Sequence, residues 1–488
     1  MAFSEVIIQT FVETNHKNYY ENGKPYTTWR SLMTTPVQEI SDKIGNNTAT
    51  ICIMGLGYVG LPTAIHFAEK RFRVIGADVN KEMVSKINSG SCPLTDLNLD
   101  ERMRAVVANG SFSASTDIVN CITESDIILI IVPTPVRMDK QPDLSYVNAA
   151  GRSIADALLI ASDPKLIILE STVYPGVTEE VLQPIIERSG KRAGEDFGLA
   201  YCPERYNPGD PEHTIEQVAR IVGGYTIDWG KVTKQLYDQI IREEVTVVKN
   251  IRTAEAAKVI ENTQRDLNIG LMNELSMIFE RMGIDIIDVI KAAGTKWNFN
   301  TYYPGAGVGG HCLPVDPYYL VKKAEELGYH SQIITAGRAI NDYMPFHLYE
   351  MIVEALNSNE KAIKGSKIVI LGISYKKNVG DLRESPVKHL LKYLKKMDAM
   401  ITVVDPFISD DEIEQFGVST SRNIYDACEG ADVVVVATAH DEFTKLDLTK
   451  IRNCMKTPVF IDGRRIYNPI DLKGFTYRAI GRDHQMDP

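Results

Sequence analysis

The sequence predicts an α/β protein in which two doubly wound domains, each a parallel sheet covered by helices, are joined by a central domain built on a long helix. Apolar runs such as TATICIM and SDIILIIVPT alternate with stretches long enough for crossover helices, first from Thr48 and again from KGSKIVILGISYK onward, as is typical of buried parallel sheets. Between these regions, apolar residues recur at helical spacing for about 30 residues without proline. A chain of 488 residues, 44% of them hydrophobic, has enough apolar material for two or three cores.

The predicted domain boundaries follow these changes of pattern. A polar N-terminal arm with weak periodicity occupies residues 1–47, and the first αβ domain extends over residues 48–224. The central domain occupies residues 225–350, with its long helix ending at Gly283, and the second αβ domain closes the chain over residues 351–488. The broad apolar surface of the long helix favours a helix that spans two domains or packs against a second subunit.

Composition argues against several classes of function. The formal net charge of -11 disfavours general binding to nucleic acids or anionic membranes, because phosphate binding needs a basic surface. The seven cysteines show no CxxC pair and no metal-type spacing, so we expect no metal site and a reducing, cytoplasmic location. We also expect no signal peptide, because the N-terminus lacks a basic n-region and a long apolar core. We expect no membrane span, because no stretch of about 18 uninterrupted apolar residues occurs.

The segment ICIMGLGYVG carries a GxGxxG spacing between an apolar strand and a helix. There, the first glycine makes a tight turn, the second lets the backbone approach a pyrophosphate, and the third lets helix and strand pack closely. Asp78 ends the next strand, where a carboxylate accepts the ribose hydroxyls and repels a 2'-phosphate, which favours NAD over NADP. The predicted cofactor contacts of this segment are Gly55, Gly57, Tyr58, Val59, Gly60 and Asp78.

Cys312 lies in GVGGHCLPVDPYYL, a segment rich in glycine and proline that can shape the backbone around a substrate. The residues alone leave two readings open, an exposed reactive thiol or a buried structural cysteine, and the second is commoner. A dyad with the adjacent His311 is disfavoured, because neighbouring side chains in an extended loop point apart.

Polar residues in three other segments are further candidates. Lys258 and Asn262 are four residues apart on the long helix, hence on one face. They could stabilise an oxyanion or form an ordinary solvated helix flank. Glu204 and Thr172 follow apolar strands, at the carboxyl edge of a parallel sheet where sites of αβ proteins gather, although either could be an N-cap or turn residue.

The ordered segments GLGYVG, VPTP, ESTVYPG, PER, KxxxN, GGHCLPVDPYYL and SYKKNVGDLRESP closely resemble the UDP-glucose/GDP-mannose dehydrogenase family. The resemblance runs from about Thr48 to the C-terminus and is greatest for the branch that acts on UDP-N-acetylhexosamines. It implies two Rossmann-like domains, for NAD over residues 48–224 and for UDP over residues 351–488. It also implies a homodimer or higher homo-oligomer formed through the central domain, and a setting in polysaccharide biosynthesis.

The resemblance implies oxidation of a C6 alcohol to a carboxylate with two NAD, in which Cys312 traps the intermediate aldehyde as a thiohemiacetal and then carries a thioester. Lys258 and Asn262 would hold the developing oxyanion, and the cation would also lower the pKa of the thiol. By the same resemblance, Asp316 positions a water or serves as a base, assisted by Thr172. Glu204 takes part in thioester hydrolysis and contacts the substrate.

The resemblance also assigns binding residues. Arg383 of DLRESP would grip the substrate diphosphate with its planar fork, with help from Lys376. Gly309 would line the substrate site together with Glu204, Lys258 and Asn262. Thr134 and Thr172 fall where members of the family contact NAD.

The expected substrate is a UDP-N-acetylhexosamine of undetermined configuration. UDP-glucose dehydrogenases of the family carry a second glutamate four residues beyond the position of Glu204, where this chain has Pro208, and GGHC replaces their GGSC. The alternatives are a UDP-glucose or GDP-mannose dehydrogenase, a two-electron dehydrogenase of the hydroxyacid type, and a non-catalytic protein that binds NAD and a nucleotide sugar. The second αβ domain and the GGHC segment argue against the two-electron enzyme.

Overall fold

The computed structural model describes residues 20–21, 24–25, 34–94, 99–137, 139–206 and 214–483. It contains the two doubly wound domains and the helical central domain that the sequence predicts. Before the first sheet, a short antiparallel hairpin pairs Tyr20–Glu21 with Lys24–Pro25. The predicted substrate determinant Pro208 lies outside the described residues.

The first sheet has eight strands in the order β3-β2-β1-β4-β5-β6-β7-β8, all parallel to their neighbours except for the antiparallel pair β6 and β7. The strands at its centre are buried along their whole length, because helices cover both faces. The strands are β1 (Thr50–Met54), β2 (Arg73–Ala77), β3 (Phe112–Ser115), β4 (Ile127–Ile130), β5 (Lys165–Leu169), β6 (Phe197–Tyr201), β7 (Arg220–Gly224) and β8 (Val245–Val247).

The helices of this domain include one from the predicted arm. They are α1 (Pro36–Gly45), α2 (Gly60–Glu69), α3 (Lys81–Asn88), α4 (Asp100–Ala108), α5 (Ile118–Thr123), α6 (Ser145–Ile160), α7 (Gln183–Ile186) and α8 (Ile227–Tyr237). Helix α1 buries Ile40 and Ile44 in the core of the domain, and its Ser41 donates a 2.7 Å hydrogen bond to Gln235 of α8. The predicted domain ends at residues 47 and 224 therefore lie within one packed unit, because α1, α8 and β8 all belong to it.

The central domain is built on the predicted long helix, α9 (Ile251–Arg281), which Asn250 caps by accepting a hydrogen bond from the Thr253 amide. The chain leaves α9 at Gly283 in the left-handed region, with φ of +68°, at the residue that the sequence indicates. The other helices are α10 (Ile286–Ala293), α11 (Asp316–Glu326) and α12 (Gln332–Asn357). Helix α12 packs along α9, where buried Arg338 pairs with Asp266 at 2.6 Å.

The second sheet has six parallel strands in the order β11-β10-β9-β12-β13-β14, which repeats the strand order at the start of the first sheet. Its strands are β9 (Lys367–Leu371), β10 (Met400–Val404), β11 (Ser419–Thr420), β12 (Val433–Val436), β13 (Val459–Asp462) and β14 (Thr476–Ala479). Its helices are α13 (Val387–Lys396), α14 (Asp410–Glu414), α15 (Ile424–Cys428) and α16 (Leu448–Cys454). The end of this domain also contacts the central one, because Arg465 pairs with Asp285 at 2.7 Å.

Glu255 anchors α9 to the loop after β5. This fully buried carboxylate accepts hydrogen bonds from the Gly176 amide (2.6 Å), the Thr178 amide (2.9 Å) and the Thr178 hydroxyl (2.6 Å). The anchor holds the segment that follows Thr172 against the part of α9 that carries Lys258. It thereby sets the spacing between the first sheet and the central helix.

We expect Glu255→Ala to lower the free energy of unfolding of the first domain by about 3 kcal/mol, because two buried amides lose their acceptor. Urea denaturation followed by circular dichroism measures this loss. Thr178→Val is the matched control, since it removes one donor and leaves both amides paired, and we expect it to cost about 1 kcal/mol. Equal losses in the two variants would contradict the anchoring role.

Candidate active site

The glycine turn between β1 and α2 has the shape that a dinucleotide needs. Gly55 has φ of +93°, and a Cβ there would lie 2.3 Å from the Ile131 carbonyl oxygen. A Cβ on Gly60 would lie 1.9 Å from the Gly55 carbonyl oxygen, so only glycine allows the close packing of turn and helix. A Cβ on Gly57 would meet nothing within 4 Å, so the backbone faces open space at the position where a pyrophosphate approaches. These residues fit NAD.

The other predicted cofactor contacts surround this turn. Asp78 follows β2 and accepts hydrogen bonds from the amides of Leu56 (2.9 Å) and Asn80 (2.8 Å), which orient its carboxylate beside the turn. Thr134, after β4, donates its hydroxyl to the Thr172 carbonyl oxygen at 2.8 Å, so these two threonines lie together. The Thr134 carbonyl oxygen in turn accepts the hydroxyl of Tyr319 on α11.

The structure brings Asn262 and Asp316 together, next to Cys312. Asn262 Nδ2 donates a 2.5 Å hydrogen bond to Asp316 Oδ2, and Asp316 starts α11 with its amide donating to the Cys312 carbonyl oxygen at 2.8 Å. Lys258 is one helical turn from Asn262 and is buried. Cys312 is the one exposed cysteine, whereas Cys454 is half-buried and the other five are buried. Cys312 as a residue is therefore exposed, unlike the buried structural cysteine of the second reading, although the protein around it still desolvates the thiol.

The charged groups around Cys312 shift the pKa of its thiol in opposite directions. Desolvation by the surrounding protein and the Asp316 carboxylate raise the pKa of Cys312 to about 11, whereas Lys258 and Arg383 lower it. Desolvation likewise raises the pKa of Asp316 to about 6, against the effects of Lys258 and of the Asn262 hydrogen bond. Asp316 is therefore a carboxylate whose proton affinity is matched to neutral pH.

Glu204 lies after β6 and joins this cluster through its neighbour. Its Oε1 accepts the amides of Arg205 and Tyr206, both at 2.7 Å, and its Oε2 is paired with Arg220. The Arg205 guanidinium pairs at 2.8 Å with Glu261, which precedes Asn262 on α9. The loop after β6 is thus tied to the helix that carries Lys258.

The second sheet contributes Arg383 to the same region. Its guanidinium binds Asp381 through hydrogen bonds of 2.5 to 3.0 Å and lies 4.7 Å from the centroid of the Tyr58 ring in the glycine turn. The cysteine segment is packed against the same loop, because the Gly310 amide donates to the Arg383 carbonyl oxygen at 3.2 Å and a Cβ on Gly309 would lie 2.6 Å from Tyr375 Cβ. Lys376 follows Tyr375, and its carbonyl oxygen accepts the Ser374 hydroxyl.

Sequence reasoning missed two arginines. Arg464 follows β13 in FIDGRR. Its guanidinium lies beside Gly305, just before the segment GVGGHCLPVDPYYL, since a Cβ on Gly305 would lie 2.8 Å from Arg464 Nη1. Arg220 begins β7 and is buried beside Glu204. Arg464 could have been found from its place after a strand, as Glu204 was. Arg220 carries no such signal, because a charged residue at a strand start is ordinarily exposed.

Two doubly wound domains on either side of one long helix, with a dinucleotide-type turn in the first, define an NAD-dependent nucleotide-sugar dehydrogenase. Models of the UDP-glucose/GDP-mannose dehydrogenase family match residues 49–241 as its NAD binding domain, 252–343 as its central domain and 369–469 as its UDP binding domain. The chain belongs to the UDP-glucose/GDP-mannose dehydrogenase family, as its motifs predict, and NAD is its cofactor.

Proteins similar to this chain include dehydrogenases that are named for UDP-N-acetylhexosamines. Over 412 residues, the chain is 39% identical to the UDP-N-acetyl-D-glucosamine 6-dehydrogenase of Pseudomonas aeruginosa, covering 83% of this chain and 94% of that protein. Over 435 residues, it is 35% identical to the UDP-N-acetyl-D-mannosamine dehydrogenase of Pyrococcus horikoshii, covering 88% and 99%. The solved structure of a UDP-D-ManNAc dehydrogenase from Pyrococcus horikoshii aligns with a TM-score of 0.82 and 33% identity, over 89% of this chain and 100% of that one.

Within the described ranges, no group of three or more histidine, cysteine, aspartate or glutamate side chains could hold a metal ion. None of the helices in the described part of the chain is both long and apolar enough to cross a membrane.

The opposing charges around Cys312 predict how its reactivity depends on pH. Because its thiol pKa is about 11, alkylation by iodoacetamide should rise about tenfold per pH unit from pH 7 to 10. Lys258→Met should slow the reaction at each pH and Asp316→Asn should accelerate it, since the first removes a cation and the second an anion. Peptide mass spectrometry reports the rate at Cys312 itself. A wild-type rate that levels off below pH 8 would show a different thiol environment.

Proposed function

We propose that this protein oxidises the C6 alcohol of a UDP-N-acetylhexosamine to the uronic acid in a four-electron reaction that passes through a covalent intermediate on Cys312. The observation that carries this proposal is the accessible Cys312 beside the hydrogen-bonded pair of Asn262 and Asp316, with Lys258 one turn away on α9. The named activities of the relatives support the class of sugar. We further propose a cytoplasmic location and a role in polysaccharide biosynthesis, in line with the reducing conditions that a free thiol requires.

The glycine turn formed by Gly55, Gly57 and Gly60 would hold NAD, which would supply the hydride acceptor for the two oxidations at C6, one NAD molecule for each. Between them, Cys312 Sγ adds to the C6 aldehyde carbon, and the carbonyl oxygen takes the proton to give a thiohemiacetal. The second oxidation leaves a thioester, which water hydrolyses to the acid while the thiol is regenerated. The aldehyde stays bound throughout, because it is attached to the protein before it can leave.

The residues around Cys312 divide the remaining work. Lys258 and Asn262 stabilise the oxyanion that develops on the C6 oxygen, and Lys258 also favours the thiolate. Asp316 accepts the proton of the alcohol or of a water, a task suited to a carboxyl whose pKa is about 6. Thr172 assists Asp316 and also contacts NAD, next to Thr134. Glu204 acts in the hydrolysis of the thioester and contacts the sugar.

The nucleotide part of the substrate is held by the second αβ domain. Arg383 binds the diphosphate, with help from Lys376. Gly309 lines the sugar site, and its lack of a side chain lets the cysteine segment pack closely against Tyr375. Arg383 also contacts Tyr58 of the glycine turn, so the two nucleotide sites meet at this residue.

A panel of UDP-sugars read by NADH absorbance tests the proposal. We expect two NADH per sugar consumed with a UDP-N-acetylhexosamine, and a much slower reaction with UDP-glucose and GDP-mannose. Cys312→Ala should abolish the acid product, because the aldehyde then has no thiol to trap it. One NADH per sugar with free aldehyde would instead indicate a two-electron enzyme. Sugar binding without any NADH would indicate a non-catalytic binding protein.

We also propose a homo-oligomer formed through α9. Four exposed apolar residues of α9 and its C-cap, which are Ile260, Leu271, Ile278 and Met282, fall within about 40° of one another around the helix axis, at about 100° per residue. A one-sided apolar stripe of this kind is typical of a surface covered by a partner. A second copy of the chain supplies an identical stripe, which suits a two-fold interface.

The oligomer predicts a molar mass in light scattering of at least twice 54.5 kDa for the wild type. Leu271→Glu with Ile278→Glu should shift the mass toward that of one chain, because two carboxylates would be buried unpaired in the interface. Leu159→Glu is the matched control, since Leu159 is also an exposed apolar residue but lies on α6, outside the proposed interface. A monomeric wild type would refute the interface.

A further inference from the structure

A buried network of charged and hydroxyl side chains extends from Glu204 into the interior of the first domain. Arg220 Nη2 is paired with Glu204 Oε2, and Arg220 Nη1 donates a 3.1 Å hydrogen bond to Glu170 Oε2. The Tyr237 hydroxyl donates to Glu170 Oε1 at 2.5 Å, and the Tyr237 ring lies 5.0 Å from the guanidinium carbon. The members come from three neighbouring strands or strand ends (β5, β6 and β7) and from α8.

Because this network is buried, Glu204 depends on the Arg220 guanidinium to balance its charge. Arg220 is 1% exposed and Glu170 is 3% exposed, so neither exchanges its partner for water. Removing the cation would leave two carboxylates facing each other in the interior, at a high cost in free energy. Burial raises the pKa of Glu170, and the Arg220 guanidinium opposes that shift.

The hydrogen bonds that Glu204 makes with other described residues leave one of its acceptor positions open for a water. A carboxylate has about four acceptor positions, two on each oxygen. The amides of Arg205 and Tyr206 fill both positions on Oε1, and Arg220 fills one on Oε2. Among the described residues, the remaining position on Oε2 is the only one that these contacts leave open, and Glu204 keeps 8% of its surface exposed.

We propose that Arg220 is a positioning residue for the hydrolysis of the thioester, holding Glu204 with its one open acceptor position ready to receive a proton from the attacking water, while Glu170 and Tyr237 fix the far side of the guanidinium. This inference rests on the proposed function, since it assigns a residue to its last step. In that step, water oxygen bonds to the C6 carbonyl carbon and the C–S bond to Cys312 breaks. One water proton passes to Glu204 and is then released, the second goes to the departing sulfur, and the sugar leaves as the carboxylate.

The role predicts a separation of the oxidation steps from hydrolysis. Arg220→Lys keeps a cation, but an ammonium lacks the planar fork that bridges Glu204 and Glu170 together. In a single-turnover experiment, this variant should release both NADH near the wild-type rate. Steady-state kcat should fall on the order of 10- to 100-fold with kcat/KM nearly unchanged, so KM should fall by about the same factor as kcat. Intact-protein mass spectrometry should show the sugar acyl group accumulating on Cys312.

Glu204→Gln is the matched control, because it removes the proton acceptor itself and should accumulate the same adduct. Glu170→Gln is a milder variant for the case that Arg220→Lys does not fold. It keeps the shape of the Glu170 side chain but replaces its ion pair with Arg220 by a weaker hydrogen bond. It should slow hydrolysis a few-fold and leave the NADH burst intact.

The outcomes separate this inference from the proposed function. An adduct in Glu204→Gln together with unslowed hydrolysis in folded Arg220→Lys or Glu170→Gln would overturn the positioning role and leave the proposed function standing. Equal slowing of the burst and of the steady state in Arg220→Lys would also overturn it, since a purely structural defect has that effect. Absence of any adduct and of the second NADH in Glu204→Gln would overturn the proposed function, and the inference with it.

Discussion

The attachment of α9 to the loop after β5 is the contact on which the rest of the site depends. Glu255 binds that loop through three hydrogen bonds, one turn before Lys258 on the same helix. Because α9 is a rigid element of 31 residues, the anchor places Lys258 and Asn262 at a set distance from the carboxyl ends of the first sheet. The strand ends and the helix face then enclose the cysteine segment from two sides.

Asp316 borders the cysteine segment on a third side. It starts α11 directly after the cysteine turn, and Asn262 of α9 holds its carboxylate. The second αβ domain closes the remaining side, where the glycines before Cys312 lie against Tyr375 and the backbone of Arg383. All three domains therefore meet around the segment that carries Cys312, as the proposed trapping of an aldehyde at this residue requires.

The buried carboxylates near the site are also held in place by specific partners. Glu204 and Asp316 both lie at the edge of the interior, each held by a neutral or cationic partner that keeps it oriented. A carboxylate in such a place retains its orientation because it has few alternative partners. The cost of burying these charges is offset by the rest of the fold, whose two sheets have continuous apolar strands.

The sequence by itself determined the two αβ domains, the long helix and the glycine turn, because apolar periodicity and glycine spacing are local properties of the chain. The order of its motifs also identified the family. Only the tertiary structure decided that Cys312 is accessible, that α1 and β8 belong to the first domain, and that Arg220 lies behind Glu204. Burial and ion pairing join residues that are far apart in the chain, and no local pattern encodes which charged residue is withdrawn from water.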